Sequence, residues 1–71
     1  MTLKFKYENY EVGKKEPVEV VTFEKSYSLT ANYPNKGDNI IYNGELYLVI
    51  LRTWDYENEV IYYKLGRVWT G

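Results

Sequence analysis

The sequence contains no cysteine and no histidine. The first absence excludes disulfides, thiolate metal sites and thiol chemistry. The second removes the commonest metal ligand and the commonest acid–base side chain. A run long enough to cross a bilayer, ~18 apolar residues, is also missing. The longest apolar run, Leu46 to Leu51, is six residues and fits a strand. The opening Met1-Thr2-Leu3-Lys4-Phe5-Lys6 alternates and has no apolar core of the signal-peptide kind. The expectation is a cytoplasmic protein with no membrane partner. Charge of one sign is lacking too. Nine Lys and Arg face ten Asp and Glu, for a net −1. No long-range field draws the chain to DNA or an anionic surface.

Seventy-one residues make a single β domain, 1–71. A chain this short buries only about 60% of the surface its unfolded form exposes. Without disulfides, stability must come from packing or self-association. Aromatic residues fill that role. Nine Tyr, two Phe and two Trp make up 18% of the chain, and each buries a large area at small entropic cost.

Leu3-Lys4-Phe5-Lys6-Tyr7 alternates as a half-buried strand does. The phase then slips, because Tyr10 and Val12 are apolar at even positions. After a turn at Gly13–Pro17, Val18 and Val20 continue the even set, and Val21 and Phe23 revert to odd. A hairpin in which paired residue numbers sum to 30 explains both slips. It shows its apolar tip on one face and its apolar base on the other. The face of Tyr10, Val12, Val18 and Val20 then either covers the far side of a small barrel or is a dimer or second partner surface. Lys4 and Lys6 read as protection of an edge strand.

Asn32 to Gly37 is a turn cluster. Asp38–Tyr42 and Glu45–Trp54 form a hairpin about Asn43-Gly44, whose two residues accept the positive φ of a tight turn. Residues 46–51 are apolar on both faces, which predicts a central strand covered on both sides. Asp55–Asn58 turns the chain into a strand over Glu59–Leu65. Gly66 breaks the ladder, and Arg67-Val68-Trp69 adds a last short strand. No segment shows a 3.6-residue period, so helix is limited to a single turn near residues 25–32. Five or six short strands predict an all-β fold, a small SH3-like barrel or a strongly bent antiparallel sheet.

The run Pro34-x-x-Gly37-Asp38-x-Ile40-x-x-x-Gly44-x-x-Tyr47-x-Val49, followed by Trp54-Asp55-Tyr56-x-Asn58-x-Val60-Ile61, covers about the second half of the chain. It resembles a group of short, mostly uncharacterised proteins of phages and mobile elements in low-GC Gram-positive bacteria. It is also similar to the opening hairpin of SH3-like barrels. The resemblance implies a small barrel and a phage-encoded inhibitor of a host protein, such as a defence nuclease, acting in the cytoplasm of the host bacterium.

Catalysis finds little to work with. Ser26 and Ser28 have no histidine to activate them, and a chain of this size leaves little room for a cleft between paired carboxylates. The expectation is no enzyme, no cofactor and no metal. Asp55-x-Glu57-x-Glu59 superficially follows a calcium loop, but Val60 stands where that pattern needs glycine.

Binding is the remaining class. Tyr, Trp and Arg dominate interface energetics, and Trp54, Tyr56, Tyr33, Trp69 and Arg52 are the candidate protein-binding residues. Trp54 and Trp69 also have a plainer role as covers of the barrel ends. A nucleic-acid-binding barrel is the alternative, with Arg52, Lys64 and Arg67 near Tyr62 and Tyr63; Asp55, Glu57 and Glu59 oppose it. A structural subunit of a larger assembly, strand addition at an open edge and a homo-oligomer stay open as well.

Overall fold

The computed structural model describes residues 1–26 and 32–67. Five strands form one sheet: β1 (Thr2–Asn9), β2 (Glu19–Ser26), β3 (Asn39–Tyr42), β4 (Glu45–Asp55) and β5 (Val60–Arg67). Their order is β2-β1-β5-β4-β3. Three pairings are antiparallel, and β1 with β5 is parallel. The sheet curls into a half-barrel, and no helix occurs among the described residues. The all-β, strongly bent architecture is thus the expected one, with a parallel seam added.

The period-2 pattern sets which face lies inside. Leu3, Phe5 and Tyr7 of β1 and Ile61, Tyr63 and Leu65 of β5 fill the concave side with Tyr47 and Val49. Leu3 and Ile61 are fully buried, and burying such a side chain stabilises by about 1.5–3 kcal/mol. Four rings line up around the curve. Tyr63 stacks on Phe5 at 4.7 Å, Phe5 on Phe23 at 4.7 Å, and Phe23 on Tyr42 at 3.8 Å. The first two contacts follow from register, since Phe5 pairs with Phe23 on one side and Tyr63 on the other. The third joins β2 to β3, the two edges, whose backbones are not paired. Rings therefore bridge the gap that hydrogen bonds leave open.

Asn43 (φ 52°) and Gly44 (φ 80°) make the expected tight turn between β3 and β4. The 56–59 turn ends on Glu59 at φ 54°. The Asp55 carboxylate starts that turn by accepting from the Asn58 backbone at 3.2 Å and side chain at 2.9 Å. A bulge interrupts β4 between Val49 and Leu51.

Several expectations are corrected. Paired residues of the first hairpin sum to 28, with Tyr7 opposite Val21 and Asn9 opposite Glu19. The loop beyond is longer than the Gly13–Pro17 turn, so pairing stops before Tyr10. The change of faces survives this shift, and Tyr10, Val12, Val18 and Val20 are exposed, with Val12 wholly so. They do not cover a far side of the barrel. Lys4 and Lys6 do not guard an edge, because β1 has neighbours on both sides. Gly66 does not break the ladder but sits within β5 opposite Leu48. Residues 46–51 are not all core. Tyr47 and Val49 are buried, whereas Ile50 and Leu51 are 41% and 52% exposed. The half-barrel covers only its concave side, and the β4 bulge leaves both residues on the other. Val68 and Trp69, and residues 27–31 of the expected helical turn, lie outside the described residues.

Candidate functional site

Four of the five residues singled out for partner binding come together at the β4–β5 turn end of the half-barrel. The fifth, Trp69, lies outside the described residues. Beyond the bulge the phase of β4 is reversed, so Arg52 and Trp54 pair with the buried Tyr63 and Ile61. Both side chains are thereby half-buried on the concave side. Trp54 stacks on Tyr56 at 5.8 Å and takes the edge of Tyr33 at 5.9 Å. The Arg52 guanidinium lies 5.4 Å from the Trp54 ring centre, within cation–π range.

The Pro34 carbonyl holds this cluster in place. It accepts the Tyr63 hydroxyl at 2.7 Å and Arg52 Nη1 at 3.2 Å. Arg52 also donates to the Asn35 side chain. The 32–35 segment is thus pinned across β4 and β5, which brings Tyr33 to a tryptophan twenty-one positions away. Exposure grades outward. Trp54 and Tyr33 pack against the core, and Tyr56 is 80% exposed at the turn. Trp54 is half-buried against the core, and the exposed Tyr56 ring stacks on it. Below it the Asp55 carboxyl is more acidic than an ordinary aspartate, first through the Asn58 side-chain bond and then through the Asn58 backbone bond.

The opposite end carries a second arginine on rings. Arg67 lies 5.1 Å from the Tyr7 ring centre and 5.3 Å from that of Tyr47. It also pairs with Glu19 of β2 and Glu45 of β4, tying strands on both sides of the curl.

An open groove of about 880 Å³ lies over β2, β1 and β5. Lys4, Lys6, Lys64, Glu8, Glu24, Tyr10 and Tyr62 of the convex face line it, together with Phe5, Phe23 and Tyr63. Lys6 pairs with Glu8 at 3.1 Å, and Glu8 accepts the Tyr10 hydroxyl. These bonds, Tyr10 first and Lys6 next, lower the Glu8 pKa, and the same bond raises that of Tyr10. Arg52 does not share an exposed face with Tyr62 or Tyr63, the arrangement that a single-strand-binding surface there would need. Tyr63 is buried, and Tyr62 lies on the convex face, away from Arg52. Sequence reasoning missed that Lys4, Lys6 and Lys64 share this face with Tyr62. The signal was in the alternation of β1, but the parallel β1–β5 pairing that joins them was not visible.

No protein-family model matches the chain, and searches of the curated proteins and of the solved structures return no match.

Proposed function

We propose that this chain is a small, non-enzymatic protein-binding module whose contact surface is the Tyr33–Arg52–Trp54–Tyr56 cluster. One observation carries the proposal: three aromatic rings and a guanidinium form a continuous group, anchored to the core at one side and exposed at the other. Rigid rings of this kind add contact area with little ordering cost, and they are the residue types on which binding energy concentrates. The resemblance to phage proteins extends the proposal to inhibition of a host protein. The Gly37-Asp38 entry to β3 and the tight turn at Gly44 support the finer assignment to the SH3-like class.

The test is capture from bacterial lysate by the wild type and by a Trp54→Ala/Tyr56→Ala double variant, with circular dichroism confirming the fold. Loss of a specific captured protein is expected. Undiminished capture by the folded double variant sinks the site. The lysine-rich groove with Tyr62 favours a second reading, binding of single-stranded nucleic acid. That requires oligonucleotide binding at low salt that weakens steeply as salt rises; no binding at low salt ends it.

A further inference from the structure

The parallel pairing of β1 with β5 brings three lysines and a tyrosine to one place on the convex face. Lys4 lies beside Tyr62, and Lys6 lies beside Lys64. Neighbouring strands are about 4.8 Å apart and alternate residues about 6.6 Å, so the four side chains stand at the corners of a small rectangle. The same rows continue with Thr22 and Leu51 beside Lys6 and Lys64. Tyr62 is 45% exposed, and the open groove lies over the rectangle with Glu8 and Tyr10 also lining it.

The three lysines are not equivalent. Lys6 pairs with Glu8 at 3.1 Å. Lys4 and Lys64 make no ion pair among the described residues, and neither does Glu24, which stands opposite Lys4 on β2. The Glu8 carboxylate also accepts the Tyr10 hydroxyl, and the Lys64 charge acts on it as well. A cation, a hydroxyl donor and a second positive charge are what an anionic group of a ligand would seek in this groove. Glu8 already stands there.

We propose that single-stranded nucleic acid lies over this rectangle, with a base on the Tyr62 ring and phosphates at Lys4 and Lys64, and that Glu8 fills the phosphate position at Lys6 and so restrains binding. The inference rests on the nucleic-acid reading of the groove and adds to it a built-in competitor. Two features favour a nucleic acid over an acidic peptide. The exposed ring among the lysines offers a stacking face, which a base uses and a carboxylate does not. Lysines are flexible point charges, suited to successive phosphates along a strand that carries no sequence information there.

The experiment is fluorescence anisotropy of a labelled oligothymidine with the full chain, at about 20 to 200 mM NaCl. The wild type is expected to bind weakly at low salt. Glu8→Gln should bind about 3- to 10-fold tighter there, the effect of removing one charge about 4 Å away in water. Its log–log salt slope should steepen by about 0.7, the value of one more phosphate contact on a single strand. Glu24→Gln removes the same charge from the groove but releases no lysine, so its slope should match the wild type. Tyr62→Ala should weaken binding at least about 5-fold without changing the slope. Circular dichroism checks the fold of each variant. Wild-type binding that Glu8→Gln makes no tighter, or no steeper than Glu24→Gln does, overturns the role of Glu8 and leaves the nucleic-acid reading standing. No wild-type binding at low salt ends that reading and this inference together. A polyglutamate peptide that binds as tightly as the oligothymidine would assign the groove to an acidic peptide instead. None of these outcomes bears on the Trp54–Tyr56 cluster, which the lysate experiment tests separately.

Discussion

The ring contact between Phe23 and Tyr42 can be measured as a coupling energy. The two rings are parallel within 4° at 3.8 Å and join the unpaired edges β2 and β3. Tyr42→Leu removes a ring that is 39% exposed, at an expected cost of about 1 kcal/mol. Phe23→Leu loses the Phe5 contact as well and costs about 1–2 kcal/mol. Because the two rings stack across the edges, the double variant is less destabilised than the sum of the two. The difference should equal a stacked pair, about 0.5–1.5 kcal/mol. A protein of this size has a total stability of about 4–10 kcal/mol, so all four proteins remain folded. Urea denaturation gives the four free energies, and unchanged slopes show that the unfolded reference has not moved. In thermal melts the coupling corresponds to roughly 2–12 °C. Additivity within ~0.3 kcal/mol would refute the idea that these rings close the half-barrel.

Two further outcomes follow from the same structure. Tyr63→Phe removes the hydroxyl bonded to Pro34 O. Arg52 still donates to that carbonyl, so the loss should be only about 0.5–1.5 kcal/mol by denaturation; a neutral result would show that the bond adds nothing to the 32–35 anchor. The Asp55 carboxyl should titrate below the ordinary aspartate range by NMR and return toward it in Asn58→Ala, since the Asn58 bonds are its main cause. Its folded pKa is depressed, so its contribution to stability is complete above the unfolded aspartate pKa and is lost as pH falls through the folded one. An unshifted midpoint in Asn58→Ala would assign the effect to another group.

The second hairpin was legible because Asn43-Gly44 admits so few alternatives. The buried face of β1 was legible from Leu3, Phe5 and Tyr7 alone. Register in the first hairpin was not, because nothing local to Gly13–Pro17 says how far pairing extends, and a shift by two preserves every face. The strand Leu46–Leu51 shows a deeper limit. Apolarity on both faces says that each face wants cover, but not that the same chain supplies it. For the aromatic cluster, residue types marked Trp54, Tyr56, Arg52 and Tyr33 as candidates. Their assembly depends on the Pro34 carbonyl reaching across β4 and β5, a long-range contact with no local signature.

The parallel pairing of β1 with β5 bears on how the molecule comes to exist. Thr2 lies beside Val60 and Tyr7 beside Leu65, so the first strand acquires its second neighbour only from the last. During synthesis at ~5–20 residues per second, the β1–β2 hairpin waits about 2–8 s for that neighbour. Throughout that interval the edge of β1 that β5 later covers is open, and Leu3, Phe5 and Tyr7 lack the cover of Ile61, Tyr63 and Leu65. Closing so long a loop is entropically costly and makes folding slow for the chain's size. Conditions that delay β5 should therefore raise aggregation before they lower the stability of the finished fold.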